Sequence, residues 1–151
     1  MVPQNRPILV AAIPEAAERV CRLLPGQRVV CPATLPEAQA ALARERFALA
    51  VMGVYFAESR MFDLMSYARA SALNRDVPIL CVLGARRRIS DLTVRLLQDT
   101  IDAMWRCAFL NLSAIPDDEA GNALVRRTLM QHLEPVFNPA TPSRTTIRVA
   151  R

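Results

Sequence analysis

The chain has 151 residues, of which 52% are hydrophobic and 22% charged, a composition typical of one globular domain rather than of a disordered segment. Its formal net charge is +5, and all 19 of its Lys or Arg positions are arginine. A chain without lysine excludes mechanisms that need one, such as a P-loop phosphate clamp or a Schiff base. No apolar stretch approaches the length of a membrane span, and no basic segment precedes an apolar run near the N-terminus, so we expect a cytoplasmic protein.

Short apolar runs alternate with longer amphipathic segments along the chain, which predicts a parallel sheet covered by helices. The predicted strands are residues 7–12, 28–31, 47–54, 77–83 and 108–112. The predicted helices are residues 14–24, 34–46, 61–71, 89–105 and 117–133. Strict alternation of five strands and five helices is typical of a doubly wound sheet.

Signals at the helix ends support this division. Thr34 and Glu37 have the spacing of a capping box, in which the hydroxyl accepts a backbone N–H and the carboxylate reaches back. Three acidic residues at 117–119 lie where the last helix begins, favourable beside the positive end of its dipole. The prediction is an α/β domain over residues 6–135, a five-stranded parallel sheet in a three-layer sandwich. Residues 136–151 read as a Pro-containing linker and a basic C-terminal tail.

Three segments carry a resemblance to a known family. They are residues 7–24 (PILVAAIPEAAERVCRLL), 48–65 (ALAVMGVYFAESRMFDLM) and 76–85 (DVPILCVLGA). Their order and spelling resemble the receiver domain of bacterial response regulators, the CheY-like superfamily, over roughly residues 6–135. The resemblance implies a flavodoxin-like (βα)5 fold and a role in two-component signalling.

In a working receiver, the phosphorylation chemistry lies at the ends of the strands. An acidic pair after the first strand holds magnesium, an aspartate ends the third, a threonine or serine ends the fourth and a lysine ends the fifth. The matching positions here are Ala12, Ile13, Gly53, Leu83 and Leu112. Their side chains offer no oxygen for a cation and no nucleophile for phosphorus. The resemblance therefore implies a degenerate receiver that is not an enzyme and has no catalytic residue, no metal and no cofactor.

Two other readings of this region stay open. Glu15, Glu58 and Asp63 lie beyond the first and third strands and form a metal site only if their carboxylates converge on one ion. Gly53 and Gly84 lie at the carboxyl ends of neighbouring strands, where doubly wound sheets bind ligands. A small molecule there is one interpretation, and a tight turn over a closed acidic pocket is the other.

The fourth predicted helix is the candidate interaction surface. The stretch from Leu83 to Leu112 is longer than receivers usually need, so we expect an extended helix or an extra turn before it. The candidate surface residues are Arg86, Arg87, Arg88, Leu92, Arg95 and Leu96. The arginine run reads as an anionic contact site or as a solvated loop, since cations oppose the dipole at a helix N-terminus. The leucines give more apolar surface than one sheet face needs, which indicates a partner surface or ordinary core.

The cysteines and the single tryptophan read as structural residues. Cys21, Cys31, Cys81 and Cys107 are scattered, without a C-x-x-C pair and far in sequence from the only histidine. We expect structural thiols, with a metal or disulfide role as the alternative. Trp105 is expected to anchor the core.

The leading hypothesis is a phosphorylation-independent interaction and dimerisation module, in which the fourth to fifth helices form the contact face. The partners that the resemblance implies are a sensor kinase, an output domain or a second copy of the chain. We expect no membrane partner. A nucleic-acid-associated regulator using the arginines ranks lower, because no helix-turn-helix or RNA-binding motif is present. A small flavodoxin-like enzyme ranks lowest, because the ligand edge carries no titratable group.

Overall fold

The computed structural model describes residues 6–84 and 89–133. These residues form the strands β1 (Ile8–Ala11), β2 (Val29–Val30), β3 (Leu49–Gly53), β4 (Ile79–Val82) and β5 (Cys107–Leu110). The helices are α1 (Pro14–Arg22), α2 (Leu35–Arg44), α3 (Met61–Ala70), α4 (Asp91–Asp102) and α5 (Glu119–His132). A short 3-10 helix (Leu112–Ala114) precedes α5.

The strands form one parallel sheet in the order β2-β1-β3-β4-β5. Helices α1 and α5 pack on one face, and α2, α3 and α4 pack on the other. From β1 the chain first adds β2 on one side and then β3, β4 and β5 on the other, so the connecting helices cover both faces of the sheet. The predicted doubly wound, three-layer architecture is confirmed.

The core lies on both sides of the sheet. In β1, Leu9 and Ala11 face the layer of α2, α3 and α4, whereas Ile8 and Val10 face α1 and α5. Burial on both faces explains why these strands are nearly continuous apolar runs rather than alternating ones. Within the described ranges, no helix is both long and apolar enough to cross a lipid bilayer.

Two predicted helix starts are confirmed by their capping bonds. The Thr34 hydroxyl accepts the Glu37 N–H at 3.2 Å. The Glu37 carboxylate reaches back to the N–H of Ala33, at 2.9 Å, one residue before the position that a capping box uses. At the start of α5, the Asp118 carboxylate accepts the Gly121 N–H at 2.8 Å.

Helix α4 is shorter than the sequence pattern predicts. It begins after Ser90, whose hydroxyl accepts the Thr93 N–H at 3.1 Å, and ends at Asp102. The chain then turns into β5 through Arg106, which has a φ of 55°. The helix is therefore shorter at both ends than the predicted residues 89–105. Residues 85–88, where a preceding extra turn would fall, lie outside the described residues.

Candidate functional site

The carboxyl ends of β1 and β3 bring two of the predicted degenerate positions into contact. Ala11 pairs with Met52 in the parallel register, so the residues that follow, Ala12 and Gly53, lie side by side. A Cβ atom on Gly53 would come within 2.9 Å of the Cβ of Ala12, closer than real Cβ atoms approach one another. The position matched to a receiver's phosphoacceptor therefore has no side chain, and the space that a side chain would enter is occupied by Ala12.

The ends of β4 and β5 are equally apolar. Leu83 is fully buried, and its backbone donates to the Leu110 carbonyl at 3.0 Å and accepts from the Ser113 N–H at 2.9 Å. Leu112 is 3% exposed and belongs to the core between the sheet, α1 and α5. Both positions are thus packing residues, and neither places a polar side chain at the edge.

Gly84 shows the same closure on the side of α1. A Cβ atom there would lie 2.8 Å from the Cβ of Ala16, a buried residue in the first turn of the helix. Only glycine lets this helix lie so near the chain leaving β4. The two glycines therefore fit the interpretation of a closed pocket better than that of a ligand cradle.

This edge does not fit the divalent cation that the receiver fold implies. Ala12, Ile13 and Gly53 supply no side-chain oxygen, and magnesium is bound chiefly by carboxylates and water. Among the residues that the structure describes, no group of three or more His, Cys, Asp or Glu could hold a metal ion. Of the acids considered above, Asp63 is engaged by the guanidinium of Arg60 and Glu58 is exposed.

A buried arginine, which the sequence interpretation missed, holds the loop after β5. Arg19 of α1 is 8% exposed. Its guanidinium donates to the carbonyl oxygens of Pro116 (2.7 Å), Ile115 (2.8 Å) and Leu112 (3.3 Å), and to Oδ1 of Asn122 (2.9 Å). A buried guanidinium is tolerated when its donors are satisfied in this way, and it fastens α1 to the β5–α5 loop.

A second arginine of α1 extends this connection at the surface. Arg22 donates to both carboxylate oxygens of Asp117, at 2.9 and 3.2 Å, and also to Glu18. The bonds from Arg22, followed by one from Asn122, lower the pKa of Asp117 to about 2. The carboxylate is therefore fully ionised at neutral pH and serves as a fixed ion-pair partner rather than as an acid–base group.

A cavity of about 270 Å³ lies beside these residues. Its lining residues are Ile13, Glu15, Ala16, Arg19, Gly84, Leu112, Ser113 and Asp117. Two of its charged groups, Arg19 and Asp117, are already bound to protein groups. We therefore assign no reaction to this cavity.

The loop after β3 contains one turn of left-handed backbone. Ala57, Glu58 and Ser59 have φ angles of 52°, 59° and 69°. The turn is closed by the Arg60 N–H, which donates to the Phe56 carbonyl at 2.9 Å, and the Phe56 side chain is buried in the core. A left-handed conformation costs roughly 1–2 kcal/mol for each non-glycine residue, so packing around Phe56 holds a strained segment next to the closed edge.

The candidate surface on α4 is exposed where the structure describes it. Leu92 is 65% exposed and Leu96, one turn later, is 58% exposed, with Arg95 beside them. Of the whole helix, only Ile101 is fully buried. The remaining candidates, Arg86, Arg87 and Arg88, lie outside the described residues. The predicted excess of apolar surface is present, and its use in binding stays a prediction.

Trp105 is not a core anchor, contrary to the sequence expectation. Its ring is 60% exposed and lies near two cations, with the guanidinium carbon of Arg69 at 5.3 Å and that of Arg106 at 5.7 Å from the ring centroid. The tryptophan precedes β5, which lies at the edge of the sheet, so its ring lacks the neighbours that a central strand provides. Cation–π contacts take the place of hydrophobic burial.

Comparison with known proteins rests on structure. No protein-family model matches the chain, and no curated protein matches its sequence. A response regulator from Hahella chejuensis aligns with a TM-score of 0.63 and 14% identity, over 84% of this chain and 93% of that one. The Mn(2+)-bound form of response regulator Rcp1 aligns with a TM-score of 0.61 and 13% identity, over 89% and 99% of the two chains. The chain has the CheY-like receiver fold.

One further receiver sharpens the contrast at the strand ends. The receiver domain of a sensor histidine kinase from Pseudomonas aeruginosa aligns with a TM-score of 0.58 and 20% identity, over 83% of this chain and 95% of that one. Its structure holds a magnesium ion in the active site cleft, and that of Rcp1 holds manganese. In this chain, Gly53 lies directly against Ala12 at the carboxyl ends of β1 and β3.

Proposed function

We propose that this chain is a phosphorylation-independent receiver module of bacterial two-component-type signalling, which acts in the cytoplasm through protein contacts. The observation that carries the proposal is the 2.9 Å approach between Ala12 and a Cβ atom at Gly53. Phosphoryl transfer needs a nucleophile and a cation to offset developing charge. An edge of alanine, glycine and leucine offers neither, so the module is not an enzyme and its output depends on its surfaces.

The surface proposed for these contacts is the exposed face of α4. Leu92 and Leu96 expose most of their side chains, and two leucines one turn apart form an apolar strip that a partner can cover. β5, against which α4 packs, is an edge strand of half-buried residues. We propose that a second copy of the chain covers this strip, with a sensor kinase or an output domain as the other candidate partners.

The alternative of nucleic-acid binding is weakened by the internal contacts of the arginines. Among the described residues, the arginines that donate to carboxylates or backbone carbonyls include Arg19, Arg22, Arg28, Arg60, Arg69 and Arg126. Guanidinium groups committed in this way contribute less to phosphate binding, which depends on cations free to replace counterions. Binding to random duplex DNA at low salt, falling steeply as salt rises, would revive that alternative.

The phosphorylation claim is tested by incubating the full chain with magnesium and acetyl phosphate. We expect no adduct of about 80 Da in the intact mass and no change in oligomeric state, because neither metal nor phosphoryl group finds a ligand. A receiver that retains its acidic pair and aspartate, treated in parallel, shows that the reagents work. An adduct on an aspartate or glutamate of this chain would overturn the proposal.

The surface claim is tested by light scattering on the wild type and on a chain with both Leu92→Glu and Leu96→Glu. We expect the wild type to self-associate. The double variant should associate at least about tenfold more weakly, because it places two charges where the dimer would bury the apolar strip. Phe62→Glu is the matched control, since Phe62 is an apolar residue of α3 that is 38% exposed. A wild type that remains monomeric at high concentration would reject self-association through α4.

A further inference from the structure

Two cysteines that are ten positions apart in sequence come together at the edge of the sheet. The Sγ atom of Cys21, near the end of α1, lies 3.3 Å from the Sγ atom of Cys31, which follows β2. Both are free thiols. A disulfide needs a sulfur–sulfur distance of about 2.05 Å, so the two sulfur atoms must approach by roughly a further 1.2 Å.

The surroundings of this pair differ from those of the other two cysteines. Cys81 is fully buried, and its thiol donates to the Met65 sulfur at 3.8 Å. Cys107 lies beside Arg69, whose guanidinium is 3.7 Å from its sulfur. In contrast, Cys31 is exposed, so an oxidant in solution reaches one member of the pair directly.

We propose that Cys21 and Cys31 form a reversible intramolecular disulfide when the protein meets hydrogen peroxide. In the first step, the Cys31 sulfur attacks the peroxide; an S–O bond forms, the O–O bond breaks, and hydroxide leaves and takes up the thiol proton as water. In the second step, the Cys21 sulfur attacks Cys31; the S–S bond forms, the S–O bond breaks, and the departing hydroxide takes the Cys21 proton. Two thiols and one peroxide give one disulfide and two waters.

The order of these steps follows from the two environments. Burial, with a smaller contribution from the hydrogen bond to Cys31, raises the pKa of Cys21 to about 12. Cys21 therefore stays a protonated thiol at neutral pH, which makes it the less reactive of the pair toward peroxide. Because thiol reactivity depends on exposure and on thiolate, the exposed Cys31 is the residue that peroxide oxidises first.

The bond would act beside the shortest strand pairing of the sheet. β2 pairs with β1 over two residues only, Val29 and Val30. Joining Cys31 to α1 fixes the chain just beyond that strand. In a reducing compartment an exposed disulfide of this kind is transient, which suits a modification that follows oxidant levels rather than a permanent cross-link.

The test treats the reduced full chain with one equivalent of hydrogen peroxide. We expect a mass loss of about 2 Da, the disappearance of two of the four thiols, and reversal by dithiothreitol. Trypsin cuts after Arg19, Arg22, Arg28 and Arg44, so the cysteines end in separate peptides, 20–22 and 29–44. Their recovery as one cross-linked peptide identifies the bond.

Variants separate this reaction from general oxidation. Cys21→Ser and Cys31→Ser should each abolish the cross-link, whereas Cys107→Ser should keep it. The oxidised wild type should melt about 5 °C above the reduced form, and the two pair variants should not gain this increase. Oxygen added to Cys31 without a cross-linked peptide, or a bond between two chains, would overturn the proposal. None of these outcomes depends on the phosphorylation state or on α4.

Discussion

The Cα of Ala12 would lie 3.0 Å from a Cβ atom on Gly53, so the backbone of β1 itself limits what β3 can carry at this position. We expect Gly53→Ala to destabilise the fold by about 2 kcal/mol, because the added methyl overpacks a buried contact. Adding Ala12→Gly removes the Cβ clash, so the double variant should recover at least about 0.5 kcal/mol relative to the sum of the single changes. Urea unfolding of the four chains measures this coupling, and strictly additive losses would contradict the contact.

Asn74 connects the end of α2 to the start of β3, and its removal should be costly. This side chain is 1% exposed, accepts the Phe47 N–H at 2.9 Å, and donates to the carbonyls of Leu42 (2.7 Å) and Glu45 (2.8 Å). Asn74→Ala removes the side-chain partners of the Phe47 N–H and the Glu45 carbonyl and one of the two side-chain donors to the Leu42 carbonyl, and it should cost about 3 kcal/mol. Ser71→Ala, which removes a longer bond of 3.3 Å to Leu42, is the control and should cost less than about 1 kcal/mol. Equal urea midpoints for the two variants would show that the Asn74 network is unimportant.

The ion pair between Arg22 and Asp117 should make stability depend on pH in the acid range. Folding lowers the pKa of Asp117 from its ordinary 3.8 to about 2, so its contribution is present above the unfolded value and is lost as pH falls through the folded one. The stability difference between wild type and Asp117→Asn should therefore be constant at neutral pH and shrink between about pH 4 and about pH 2. Urea midpoints at several pH values measure this difference.

Two controls accompany the pH series. Both side chains are partly exposed, so raising the salt concentration should weaken the effect. Arg22→Gln removes the bond that contributes most and should flatten the profile. A difference that grows as the pH falls would contradict the assigned sign.

The left-handed turn predicts an unusual stabilising substitution. Glu58 is exposed and has a φ of 59°, a conformation that glycine adopts without strain. We expect Glu58→Gly to increase the free energy of unfolding by about 0.5–1 kcal/mol, and Glu58→Ala, which keeps the Cβ atom, to leave it nearly unchanged. Thermal melts of the three chains compare them directly. A glycine variant less stable than the alanine variant would show that the turn is not strained.

The pattern of apolar runs predicted the strands because a parallel sheet buries both faces, and β3 is buried over its whole length. The cap at Thr34 was predictable because a capping bond joins residues only three apart in sequence. The sequence showed that the strand ends carry no acidic residues. The contact of Gly53 with Ala12 could not be predicted, because it depends on the register of two strands. Local patterns therefore determined the architecture and the identity of the edge residues, but not their distances.

Polar residues that bind distant carbonyls escaped prediction. The buried residues of α1 are Ala16, Arg19 and Val20, and a buried arginine is not what an apolar helical pattern indicates. Arg19 is buried because its acceptors come from a loop almost a hundred residues later, which no local pattern can reveal. The exposure of Trp105 was missed for the same reason, since it depends on the place of β5 in the strand order.

The two edge strands of the sheet, β2 and β5, differ in how many contacts stabilise them. Beside β5, the guanidinium of Arg69 donates to the backbone carbonyls of Val77 (2.7 Å), Arg75 (2.9 Å) and Trp105 (2.9 Å), so one side chain ties α3 to the chain entering both β4 and β5. We therefore expect that edge to open together with the end of α3, as one cooperative unit. The opposite edge is a strand of two residues, whose amides should exchange with solvent long before the rest of the sheet opens.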